Sequence, residues 1–138
     1  MENFKIGQTA SMSKTISEFD VYAFAGISGD FNPVHIDEVY ASNSMFKRRV
    51  AHGMLTAGFL STVLGTKLPG VGSVYISQTL KFTAPVYIGD TITATCTINE
   101  ILYERNRIIL NCTVKNQDGK EVLAGQAVML IPKEVTGE

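Results

Sequence analysis

Between residues 53 and 64, Met54, Leu55, Ala57, Phe59, Leu60, Val63 and Leu64 cover nearly every face of a helix. A helix that is apolar all round has to be wrapped by other structure. Gly65 and then Pro69 are expected to stop it. From Val71 onward the pattern is strands only. Residues 74–76 and 80–82 alternate, 91–98 and 107–114 alternate strictly, 117–120 read as a turn, and 121–131 form a last strand. Val122, Leu123 and Ala124 make that last strand apolar on both faces, which suits a central place in a sheet.

Upstream, residues 8–15 read as a first strand. Ser17 is a good N-cap, with Glu18 and Asp20 in the first turn and the apolar run 21–25 behind it. That helix should end near Gly29. Asp37 can cap a second short helix to about Ser44, and Lys47, Arg48 and Arg49 form a basic connector. The expected fold class is α+β: an antiparallel sheet around a buried central helix, as one domain over residues 1–138. A sheet wrapped around one helix leaves its edges needing cover. A homodimer joined edge to edge is expected on that ground.

With 138 residues the chain can build a single core without disulfide or metal staples. It is 45% hydrophobic and 18% charged, with a formal net charge of −1. No overall field favours nucleic acid or an anionic membrane, and no apolar run approaches spanning length. The segment Met1-Glu2-Asn3-Phe4-Lys5 lacks the basic and apolar regions of a signal peptide, so a cytoplasmic address is expected. Cys96 shares parity with Ile92, Ala94 and Ile98, and Cys112 with Ile108, Leu110 and Val114. A hairpin could bring the two sulfurs together, so geometry allows a disulfide. The pattern fits better two small buried thiols in a reducing compartment, and neither sits near a histidine in sequence.

The chemistry concentrates in Ser28-Gly29-Asp30-Phe31-Asn32-Pro33-Val34-His35, followed by His52-Gly53. A carboxylate, an amide and an imidazole fall within six residues. Gly29-Asp30 and Asn32-Pro33 form turns, and a residue before proline is pushed out of the helical region. Asp and His are the side chains best suited to move protons near neutral pH. A structural reading exists too: an Asx-turn between helices, with Asp30 as a cap and His35 paired to a backbone group. It explains each residue singly but not the set, since both histidines of the chain lie at or just after this loop.

With these residues in view, the chain resembles the (R)-specific enoyl-CoA hydratases of the MaoC-like dehydratase family, which have the hotdog fold. Residues 24–35 look like the family's hydratase motif, with Ala41 at its usual small position. Residues 50–55, Val-Ala-His-Gly-Met-Leu, look like the start of the hotdog helix. Leu68-Pro69-Gly70 and Gly72-Ser73 resemble the entry to the next strand. Residues 82–90, Phe-Thr-Ala-Pro-Val-Tyr-Ile-Gly-Asp, resemble a signature that marks the fold more than the activity. The resemblance runs from about Gly7 to Pro132. Its first block is the specific one, because thioesterases of this fold do not carry Asp-x-Asn-Pro-x-His.

The resemblance implies reversible addition of water across the 2,3 double bond of a trans-2-enoyl thioester, giving an (R)-3-hydroxyacyl thioester. It implies that Asp30 and His35 grip one water, with Asp30 the base and His35 supplying or shuttling the other proton. Gly53 opens the buried helix, where free N–H groups and the positive dipole end point outward, and is assigned as the oxyanion donor. Its glycine would also serve simply to turn the chain into the helix. Asn32 is expected to orient Asp30 or His35. Ser61 could reach the substrate, although a lone serine on an apolar helix reads more readily as structural. His52 would cap or brace the loop.

Asp30, His35 and His52 form a known type of ligand set, but their spacing is unlike a helical metal motif. Hydratases resembling this chain use no metal, so neither a metal nor a cofactor is expected. Lys47, Arg48, Arg49 and Lys81 are candidates for the phosphates of coenzyme A, beside the ordinary reading of a solvated charged loop. The rival functions are a (3R)-hydroxyacyl dehydratase acting on CoA or acyl carrier protein, a hotdog thioesterase, and a non-catalytic acyl-thioester binding protein. The acid/base set argues against the last two.

Overall fold

The computed structural model describes residues 1–133. Strand β1 (Thr9–Thr15) leads into α1 (Glu18–Ser28), then α2 (Pro33–Ile36), α3 (Glu38–Ser42) and the long helix α4 (Gly53–Thr66). Five strands follow: β2 (Val74–Gln78), β3 (Lys81–Phe82), β4 (Thr91–Leu102), β5 (Arg107–Lys115) and β6 (Glu121–Leu130). All pairings are antiparallel, in the order β1-β4-β5-β6-β2, with β3 also on β6. β6 is central, as its two-faced apolar run suggests.

The strict alternation of β4 and β5 converts directly into burial. Ile92, Ala94, Cys96 and Ile98 point inward with Ile108, Leu110, Cys112 and Val114, while the threonines between them stay partly exposed. Leu60, Val63 and Leu64 of α4 fill the concave side of this sheet, all fully buried. Cys96 and Cys112 are register partners with sulfurs 3.7 Å apart, and both are free thiols. The Cys96 thiol donates to Cys112 and is buried, and both effects hold it well above the ordinary thiol range.

Three expectations need correction. α4 is not enclosed all round: Met54, Gly58, Ser61 and Thr62 form an exposed stripe on the side away from the sheet. Gly65 does not stop α4, which runs to Thr66 and ends where the Lys67 and Leu68 N–H groups both donate to the Val63 carbonyl. β4 continues to Leu102 instead of ending near Ile98, because a bulge between Ile98 and Glu100 breaks the alternation while pairing resumes beyond it.

Candidate active site

Helix α1 is fixed by a capping box. The Asp20 N–H donates to Ser17 Oγ, and the Ser17 N–H donates to the Asp20 carboxylate. It ends at Gly29, whose φ of +81° is the left-handed turn that glycine takes without strain. The chain then reverses, and Asp30 accepts the Asn32 N–H on Oδ1 at 3.1 Å. This is the Asx-turn of the structural reading, and it leaves Oδ2 without an intramolecular partner among the described residues.

Asn32 then caps α2 by accepting the Val34 N–H at 3.1 Å, with Pro33 in the first helical position. That one-turn helix was not expected. Asn-Pro reads as a turn, yet the same pair is an N-cap followed by a preferred first residue. Asn32 thus acts through the cap of the helix that carries His35.

The His35 ring is buried, and its Nδ1 lies 2.7 Å from the Val50 carbonyl. A carbonyl only accepts, so Nδ1 carries the proton and Nε2 presents a lone pair. Burial holds the His35 pKa below its ordinary value, and His52 adds to that. The Val50 hydrogen bond and the Asp30 charge oppose it without prevailing. A neutral imidazole with a free acceptor nitrogen results.

His52 does not cap α4 with its side chain. Its Nε2–H donates instead to the Asp30 backbone carbonyl at 2.9 Å, and its ring stacks on His35. One nitrogen or carboxylate oxygen from each of Asp30, His35 and His52 lies within 4.8 Å of the others. His35 Nδ1 and His52 Nε2 are each taken by a backbone carbonyl, so each ring offers the cluster only its other nitrogen.

These groups line an apolar cleft of about 720 Å3, walled by Phe24, Phe46, Met54, Phe82, Pro85 and Val122. Gly53 lies in the same wall, and its N–H has no partner among the described residues. A Cβ on Gly53 would stand 2.7 Å from the half-exposed Phe82 ring, so a larger residue here would push that ring aside. Thr56, one turn further on, lines the cleft with a buried hydroxyl that has no partner among the described residues.

The remaining candidates fall outside this cleft. Ser61 sits on the exposed stripe of α4. Lys47 and Lys81 are exposed, each adjacent in sequence to a lining phenylalanine, and Arg48 lies over the Tyr87 ring at 3.9 Å. Arg49 is not part of a solvated basic loop. It is buried, donates from Nε to the His35 carbonyl at 2.8 Å and pairs with Glu18. Its Nε and Nη1 are taken by these two partners, and Nη2 is buried without a partner among the described residues, so the group does not face solvent as a phosphate ligand on a surface loop would. Sequence reasoning missed this because three consecutive basic residues read as one surface feature, although only the third faces in.

An antiparallel sheet curled over one helix, with a carboxylate and an imidazole lining an apolar cleft, is the architecture of a hotdog protein. The chain belongs to the MaoC-like domain family, whose match covers residues 3–119. It is 53% identical to an (R)-specific enoyl-CoA hydratase of Rhodospirillum rubrum, over 95% of this chain and 90% of that one. It is 47% identical to a 3-hydroxybutyryl-CoA dehydratase of Methylorubrum extorquens, over 96% and 84%. The solved (R)-hydratase from A. caviae involved in PHA biosynthesis superposes with a TM-score of 0.93 at 37% identity, covering 96% of this chain and all of that one.

Proposed function

We propose that this protein is an (R)-specific enoyl-CoA hydratase, adding water reversibly to a trans-2-enoyl-CoA to give the (R)-3-hydroxyacyl-CoA. The observation that carries this reading is the approach of the Asp30 carboxylate to His35 within 4.8 Å at the cleft. Two acceptors that close can share one water, whose hydrogen bonds each span about 2.8 Å. Two relatives above 45% identity carry the names of the forward and reverse reactions, which share one set of groups.

In the proposed reaction the water donates one hydrogen to Asp30 Oδ2 and the other to His35 Nε2. As its oxygen bonds C3, Asp30 takes one proton, the C2–C3 π electrons move toward the thioester carbonyl, and an enolate forms. The Gly53 N–H at the start of α4 donates to the developing oxyanion, aided by the helix dipole. The proton taken from water is then returned to C2. One base and one bound water deliver hydroxyl and hydrogen to the same face. The Val50 carbonyl keeps His35 in the tautomer that accepts, so His35 positions the water and lends it basicity.

The whole chain is read as one MaoC-like domain working as a homodimer. β2 is an outer strand with Val74, Tyr75 and Ile76 exposed, whereas the opposite edge, β1, shows mostly serine and threonine. An apolar edge of that kind suits a second copy. Lys47, Arg48 and Lys81 are the cations left for coenzyme A phosphates.

The test is loss of enoyl absorbance when purified protein meets crotonyl-CoA, followed by chiral analysis of the product. The (R)-3-hydroxy product supports the reading. Release of free thiol instead would make this a thioesterase.

A further inference from the structure

α2 is only four residues long, so its last carbonyls have no helical partners of their own. The segment at residues 49–50 supplies them. The Val50 N–H donates to the Val34 carbonyl at 3.2 Å, and the Arg49 Nε–H donates to the His35 carbonyl at 2.8 Å. The Val50 carbonyl in turn accepts His35 Nδ1–H. His35 is therefore held at both ends by two consecutive residues. Arg49 is itself held by Glu18 of α1, with its guanidinium carbon 5.2 Å from the Tyr22 ring centroid.

A guanidinium that is nine-tenths buried is a costly way to satisfy one carbonyl. Its planar fork lets one side chain bond a carbonyl through Nε while facing a carboxylate through Nη1, which a lysine ammonium does not reproduce. We propose that Arg49, set by Glu18, is a positioning residue that keeps the His35 imidazole in its Nδ1–H tautomer with Nε2 aimed at the cleft. The proposal rests on the hydratase reading for its kinetic consequence, but its structural half stands without substrate.

The chain has only two histidines, so the ring nitrogens can be assigned by proton–nitrogen correlation NMR. In the wild type, His35 should show a single Nδ1–H tautomer. In Arg49→Lys and Arg49→Met it should show mixed or exchange-broadened tautomers, with His52 unchanged. In crotonyl-CoA hydration, kcat should fall about 10- to 100-fold with KM within about twofold, the scale expected when a reacting group is misplaced. The loss should be equal on crotonyl-CoA and on a short crotonyl thioester lacking the nucleotide. Glu18 is 60% exposed on its side chain, so Glu18→Gln should fold normally and lose a few-fold in kcat.

A wild-type His35 tautomer and an unchanged kcat in folded Arg49→Lys and Glu18→Gln would overturn the proposal. So would a KM rise confined to crotonyl-CoA, which would make Arg49 a phosphate ligand. A wild-type protein without hydratase activity would overturn the function and leave the NMR result to judge the positioning alone.

Discussion

The imidazole rings of His35 and His52 lie stacked, with centroids 3.8 Å apart and planes 28° from parallel. His52 also donates to the backbone carbonyl of Asp30 and tilts against Phe24 at 4.8 Å. A single side chain therefore touches both members of the proposed acid/base pair. His52→Phe keeps the stack and loses the hydrogen bond, whereas His52→Gln keeps a donor and loses the ring. Each should lower kcat about 10- to 100-fold with little change in KM. Steady-state kinetics on crotonyl-CoA check this, and wild-type kcat in both variants would show that the contact is not used.

The burial of His35 predicts a pH dependence of defined sign. Its folded pKa lies below the ordinary value of 6.5, so the unfolded chain binds the proton more readily. Stability from this group is fully present above about pH 6.5 and is lost as pH falls through the folded value. Hydration should fall along the same acid limb, as Nε2 becomes protonated and stops accepting from water. Denaturant melts of wild type and His35→Gln between pH 5 and 8 should converge on the acid side. Parallel curves would contradict the assignment.

The strands were legible in the sequence because side chains on β4 and β5 meet only two environments, and alternation reports both. The capping residues Ser17 and Asp37 were legible for a similar reason, since an N-cap is satisfied within three residues. What stayed hidden depends on contacts between distant segments. Nothing local tells that Arg49 turns toward the carbonyl of His35 while Arg48 lies on Tyr87. The loop of residues 28–35 was read as either a structural turn or a site. It has the geometry of both, since Asp30 gives one oxygen to the Asx-turn and keeps the other free.

If Lys47, Arg48 or Lys81 holds the nucleotide end of the substrate, replacing it with Ala should raise KM on crotonyl-CoA with little change in kcat. The same change should matter much less for a short thioester without phosphates. Equal losses on both substrates would place the residue in structure instead of binding.

The exposed β2 edge predicts a dimer at micromolar concentration. Ile76→Glu puts a charge on that edge and should shift the protein toward monomer in sedimentation velocity, since an unpaired charge in an apolar interface is expensive. A wild type that sediments only as monomer would contradict the edge-to-edge pairing.

The central claim is that Asp30 and His35 act on one water. Asp30→Asn and His35→Gln keep similar size and remove proton-accepting capacity, so both should fold. Each should lose about 10²–10⁴-fold in crotonyl-CoA hydration, the usual worth of a positioned acid or base. The double variant decides between a unit and two separate contributions. With folding confirmed by circular dichroism, the account predicts that it loses little more than the worse single change. Additive losses, or near-normal hydration in either single variant, would contradict it.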